Sequence, residues 1–114
     1  MRSTGGLYFL GKQAPASLQL AEFLRDAAKA LDEPLVSQIT VPGWKQALEL
    51  VFDRWPCERK LVLALDEFQW SAQASPELPS VLRELWDRRL RASGNVLLIL
   101  CGSYIGFMER EAVG

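Results

Sequence analysis

Asp66 and Glu67 are consecutive carboxylates that follow directly on Leu61-Val62-Leu63-Ala64-Leu65, an apolar run with no polar alternation. A solid apolar run of five reads as a strand buried in a parallel sheet, and the carboxyl ends of such strands are where open α/β sheets bind their ligands. Two acids delivered there suit a hard cation such as magnesium, with a second carboxylate left to orient or deprotonate a water. A strand that merely ends in polar surface residues would read the same way. The second feature is Val96 to Cys101, another apolar run, which leads into Gly102-Ser103. A hydroxyl at the tip of a strand beside the carboxylate strand could bond a phosphate or the attacking water, although Gly-Ser after a strand is also an ordinary turn or helix cap.

The composition excludes several alternatives. The 114 residues contain no histidine, which removes the commonest general base and metal ligand and disfavours triad hydrolases and zinc enzymes. The 13 Lys and Arg nearly balance the 14 Asp and Glu, so nothing in the charge supports nucleic acid or an acidic membrane as partner. Cys57 and Cys101 lack CxxC spacing and neighbouring ligands; they read as free thiols of a reducing cytoplasm, with Cys101 packed in its apolar run. No signal-peptide core and no apolar stretch near the ~18 residues of a membrane span is present. The expectation is one soluble, cytoplasmic domain over residues 1 to 114.

Around these residues the pattern alternates. Leu7 to Leu10, opened by Gly5-Gly6 and closed by Gly11, predicts a first strand. Leu20, Leu24, Ala27, Ala28 and Leu31 recur at helical spacing after Pro15, with Ser17 as the cap, and the helix stops before Pro34. Trp44, Ala47, Leu48, Val51, Phe52 and Trp55 define a second helix, ended by Pro56. Phe68 to Pro79, with two prolines and small residues, reads as a loop. Leu78, Val81, Leu82, Leu85, Trp86 and Leu90 define a third helix, and a helical turn is expected from Ile105. Strands alternating with helices predict an α/β fold, a parallel sheet with right-handed crossovers. Arg83, Arg88, Arg89 and Arg91 read as a solvated helix face, and the tryptophans as core, except Trp70, which follows the acids closely enough to meet a ligand.

LVLALDEFQW, PSVLRELWDRRL and NVLLILCGSYIGFMERE together resemble the stretch from Walker B to sensor 1 in archaeal-type P-loop ATPases of the AAA+ and STAND-like group. LYFLGKQ resembles that family's second strand, and Pro42 to Trp55 the helix before Walker B. The resemblance implies a partial P-loop fold of three parallel strands ordered first, second, third. It implies Mg2+ held by Asp66, water activated by Glu67 and a terminal phosphate sensed by Ser103, with ATP as the nucleotide of the complete parent. Family members begin with a strand and a GxxxxGK[ST] loop that precede the matching segment. Gly6 to Lys12 has the GxxxxGK spacing, but Leu7 to Leu10 is strand-like, Gln13 replaces the metal-binding Ser or Thr, and Pro15 intervenes before any helix. The chain therefore reads as a truncated gene, a gene fragment or an excised domain, with neither nucleotide nor metal bound and no ATPase activity alone. The missing strand would leave Val96 to Cys101 as an unprotected edge, so a homodimer or a strand-supplying partner is expected there. The alternative is a non-enzymatic α/β interaction module.

Overall fold

A computed structural model describes residues 3–102; Ser103 and the expected helix from Ile105 lie outside the described residues. Three strands, β1 (Ser3–Leu10), β2 (Arg59–Asp66) and β3 (Val96–Leu100), form a wholly parallel sheet in the order β1-β2-β3. The register aligns Leu7, Leu63 and Leu98 across the sheet, as it does Tyr8, Ala64 and Ile99. Both connections contain helices: α1 (Ala16–Leu31), a 3-10 turn (Pro34–Gln38) and α2 (Trp44–Arg54) in the first, then α3 (Phe68–Ala74) and α4 (Leu78–Leu85) in the second. A π turn over Trp86–Leu90 and a helical turn over Arg91–Ser93 prolong α4. The α/β class, the three parallel strands and their order agree with the sequence reading.

Three local expectations are corrected. β1 begins at Ser3 and runs through Gly5 and Gly6. Pairing with the full length of β2 supplies the hydrogen bonds that overcome glycine's poor strand preference. Ser17 lies inside α1, whose N-cap is Pro15 and which has no side-chain cap bond. Residues 68–74 are helical rather than a loop, because Phe68, Ser71 and Ala72 are buried against the rest of the chain; tertiary burial outweighs a composition rich in small polar residues. The irregular part is confined to the neighbourhood of Pro76.

The largest correction concerns the sheet's faces. Uninterrupted apolar runs predict strands covered on both sides, yet burial alternates along β2. Leu7 and Phe9 of β1 and Leu61, Leu63 and Leu65 of β2 are buried on one face. On the other, Tyr8, Leu10, Leu97 and Ile99 are exposed, flanking the half-buried Val62 and Ala64. Cys101, expected to be packed, is exposed and free, as is Cys57. The reason is topological. Two successive right-handed crossovers stepping in the same direction put their helices on the same side of a sheet.

The covered side holds the core. Phe9, Phe23 and Trp44 meet edge to face, with centroids 5.1 to 5.7 Å apart, which adds to their area burial. Trp44 Nε1 is buried there without a hydrogen-bond partner. α1 presents Leu20, Phe23, Leu24, Ala27 and Ala28 to the core, and α2 presents Trp44, Ala47, Leu48, Val51 and Phe52, the spacing of one helical face. α1 ends at Asp32, which takes the left-handed conformation and turns its N–H onto the carbonyls of Ala28 and Lys29. Burying each of Leu61, Leu63 and Leu65 contributes about 1.5–3 kcal/mol, which anchors the strand that carries the acids. Among the described residues no helix is long and apolar enough to cross a membrane.

Candidate functional site at the carboxyl end of the central strand

β2 is the central strand, so its end is flanked on both sides. Asp66 is its last residue and Glu67 the first beyond it. Glu67 has φ 49° and ψ 45°, a left-handed conformation that costs a non-glycine residue on the order of 1 kcal/mol and is found at functional positions more than elsewhere. This bend lets the chain leave the strand and enter α3 within one residue.

Backbone bonds hold the corner from both sides. Gly11 N–H donates to the Asp66 carbonyl at 2.9 Å, Cys101 N–H to the Leu65 carbonyl at 3.0 Å, and Phe68 N–H to the Cys101 carbonyl at 2.8 Å. Gly11 is required at its position, since a Cβ there would stand 2.7 Å from both the Glu67 carbonyl oxygen and Ser71 Oγ. A Cβ on Gly102 would stand 2.1 Å from Gln69 Oε1 and 3.1 Å from the Phe68 nitrogen. The end of β3 is thus brought against the start of α3. Ser103, the residue after Gly102, lies outside the described residues.

The two carboxylates are differently engaged. Asp66 Oδ2 accepts the Tyr8 hydroxyl at 2.5 Å, and Oδ1 accepts the Glu67 backbone N–H at 2.8 Å. Glu67 Oε2 accepts Gln69 Nε2 and Trp70 Nε1, both at 3.3 Å. The bond to Asp66, assisted by the negative charge around it, raises the Tyr8 phenol above its usual range, so it stays protonated as a donor. Trp70 is half-buried and lines an open cleft together with Gln13, Pro15 and Gln73. Beneath the corner, the fully buried Gln19 ties α1 to α3: its Nε2 donates to the Ala14 carbonyl at 2.9 Å and its Oε1 accepts Ser71 Oγ at 2.9 Å.

Oxygen donors of this kind fit a magnesium ion by their hardness. Among the described residues, however, no group of three or more acids or thiols is placed to hold a metal by itself. Two carboxylates suffice only for an ion that brings other ligands, such as phosphate oxygens and waters, and that is the usual magnesium arrangement with nucleotides. Both Asp66 oxygens already accept hydrogen bonds, so an ion would meet Asp66 through a water or displace the Tyr8 hydroxyl.

The GxxxxGK spacing is not a phosphate loop in space. Gly6 to Leu10 is strand, and Lys12 pairs with Glu22 of α1 at 3.0 Å. The arginine cluster lies on α4 and its extension, with Arg88 near Glu84 and Arg89 paired to Asp53 at 2.6 Å. Trp44 and Trp55 are core residues as expected, and Trp86 packs at the core's margin. Sequence reasoning missed Tyr8, Gly11, Gln19 and Ser71. Each belongs to another element and reaches the acids only through the fold; the period-2 burial of β1, which puts Tyr8 opposite Leu7 and Phe9, was the available signal for the first.

The chain is 44% identical over 46 residues to an uncharacterized protein of Methanocaldococcus jannaschii, a match covering 40% of this chain and 44% of that protein. The chain thus spans less than half the length of that relative. No family model and no solved structure matches it.

Proposed function

We propose that the chain carries half of a nucleotide site of the P-loop ATPase kind. In this reading Asp66 holds Mg2+ through water, Glu67 orients or deprotonates the attacking water, and Ser103 contacts the terminal phosphate. The observation that carries it is the placement of two adjacent carboxylates at the C-terminal end of the central strand of a parallel sheet, where such folds bind ligands. The left-handed Glu67 and the clamp of Gly11 and Phe68 amides around the corner support it, because a water-positioning group needs a fixed direction. Bound with ATP, the ion would neutralise charge on the phosphates.

Asp66 supplies negative charge, with Oδ2 accepting the Tyr8 hydroxyl and Oδ1 the Glu67 backbone N–H. Glu67 is held by Gln69 and Trp70 at one oxygen, leaving the other to accept a proton from water. The lysine and the cradle of amides that bind most of a triphosphate are not supplied by Gly6 to Lys12, which is strand and ion pair. The chain alone therefore binds Mg-ATP weakly or not at all, and does not hydrolyse it. The test is calorimetric titration with Mg-ATP, comparing the chain with the same chain fused behind a phosphate-loop segment.

A non-enzymatic role as an interaction module is the second reading, favoured by one observation: the exposed apolar side chains of the uncovered sheet face.

A further inference from the structure

The amino end of the sheet, opposite the acids, holds a cavity of about 180 Å3. Leu61 and Val96, register partners on β2 and β3, line it from the strands. Phe52 and Trp55 line it from the end of α2, and Leu90 from the π turn that prolongs α4. Phe52, Trp55, Leu61 and Leu90 are all buried, so this wall is core rather than surface. Packed interiors leave few voids larger than a water, and an apolar void of ~150 Å3 stays dry and takes up benzene. The cavity is therefore sized for one six-membered ring with a substituent. It falls below the ~300–1,000 Å3 of pockets that hold larger ligands, a nucleotide among them.

The rim is polar and fixed. Trp55 Nε1 and Asn95 Nδ2 both donate to the Arg59 carbonyl, at 3.0 and 2.9 Å, and Asn95 Nδ2 reaches the Cys57 carbonyl at 3.4 Å. Leu61 N–H donates to the Asn95 carbonyl at 2.9 Å. These bonds tie the end of α2 and the starts of β2 and β3 into a preformed mouth, which lowers the ordering cost of binding. Arg89 stands at that mouth, with its guanidinium 5.9 Å from the centre of the Phe52 ring and Nη2 paired to Asp53 at 2.6 Å. A second guanidinium, that of Arg59, lies 5.1 Å from the centre of the Trp55 ring. A guanidinium presents five donors in a planar fork, so the exposed Asp53 leaves Arg89 able to take a second carboxylate. Arg89 and Leu90 both belong to the π turn, a conformation that is rare and concentrated at functional sites.

We propose that this cavity binds a small monocyclic aromatic carboxylate, with the ring among Phe52, Trp55, Leu61 and Leu90 and the carboxylate on Arg89. Aromatic walls suit a flat ring, and the guanidinium fork matches a carboxylate in shape and charge. The inference is independent of the nucleotide reading, because the cavity lies at the other end of the sheet from Asp66 and Glu67.

The test uses benzoate on the full chain, beside acetate, which has the charge without the ring, and benzyl alcohol, which has the ring without the charge. Binding is followed by NMR titration and, in the Cys101→Ser chain, by protection of the Cys57 thiol, which is exposed and lines the cavity, from iodoacetamide. Benzoate is expected to bind with Kd below about 1 mM and at least about tenfold tighter than acetate or benzyl alcohol. It slows alkylation of Cys57 in proportion to occupancy. Arg89→Met weakens benzoate by at least about tenfold and leaves benzyl alcohol binding unchanged. Val96→Phe, which puts a ring into the cavity, abolishes the binding of both while the chain still melts cooperatively. Benzoate binding no tighter than acetate overturns the proposal, as does benzoate binding that Arg89→Met leaves intact. Binding without any protection of Cys57 places the ring elsewhere and overturns it too. Should Val96→Phe fail to fold, the Arg89→Met and Cys57 measurements decide.

Discussion

Replacing Gly11 by alanine inserts one methyl group into the corner that holds the acids. An ideal Cβ at Gly11 lies 2.7 Å from the Glu67 carbonyl oxygen and 2.7 Å from Ser71 Oγ. The Ser71 hydroxyl cannot turn aside without leaving Gln19 Oε1 unpaired, and the Glu67 carbonyl belongs to a backbone already held in a left-handed conformation. Overpacking of this kind costs about 1–3 kcal/mol. Against it, alanine restricts the unfolded chain and returns ~0.4–1 kcal/mol. The net loss is about 1–2 kcal/mol, which for a domain of this size lowers Tm by roughly 5–15 °C. Gly6→Ala is the internal control: its Cβ would meet only the Val62 carbonyl oxygen at 3.9 Å, so it is expected to stabilise the strand by about 0.5–1 kcal/mol. Thermal melts of both variants by circular dichroism decide the matter. Gly11→Ala melting with or above the parent, or Gly6→Ala melting below Gly11→Ala, would refute the account of the corner.

Phe9→Ala, at 1% exposure between Phe23 and Trp44, is expected to cost about 3–5 kcal/mol in urea unfolding; a cost below 1 kcal/mol would place the core elsewhere. Ser71→Ala leaves the buried Gln19 Oε1 without its donor and is expected to cost about 1–3 kcal/mol, whereas an unchanged denaturation midpoint would mean that α1 and α3 are not tied there. Because the folded state raises the Tyr8 pKa above its usual 10.0, the stability due to the Tyr8–Asp66 bond is fully present below about pH 10 and fades as pH rises through the folded value. Tyrosinate absorbance should show Tyr8 ionising above the ordinary value, and Tyr8→Phe should remove that part of the alkaline loss of stability; titration of Tyr8 at or below 10.0 would contradict the bond.

The fold class was legible because hydrophobic periodicity is a local property. Leu61 to Leu65 and Val96 to Leu100 read as strands, and the stripes of α1 and α2 read as helices, from their own residues. The acids were legible too, since a strand end is marked by where an apolar run stops. Burial of the second sheet face was misjudged because an apolar run states what a strand can bury, while the direction of the crossovers decides what covers it. α3 was missed because Phe68, Ser71 and Ala72 gain their burial from partners distant in sequence, Gln19 of α1 among them. Tyr8 escaped notice for the same reason: it stands 58 positions from Asp66, and only the parallel register of β1 and β2 brings its hydroxyl to that carboxylate.

The central claim is that Asp66 and Glu67 form half of a Mg-ATP site that lacks its phosphate cradle. Calorimetric titration with Mg-ATP of the full chain, of the chain fused behind a GxxxxGK[ST] segment, and of the fusion bearing Asp66→Ala tests it most directly. The account predicts no measurable binding by the chain alone, binding by the fusion, and at least a tenfold weakening by Asp66→Ala, about 1.4 kcal/mol. Binding or turnover by the unfused chain that disappears with Asp66→Ala, or equal binding by the fusion with and without Asp66, would contradict it.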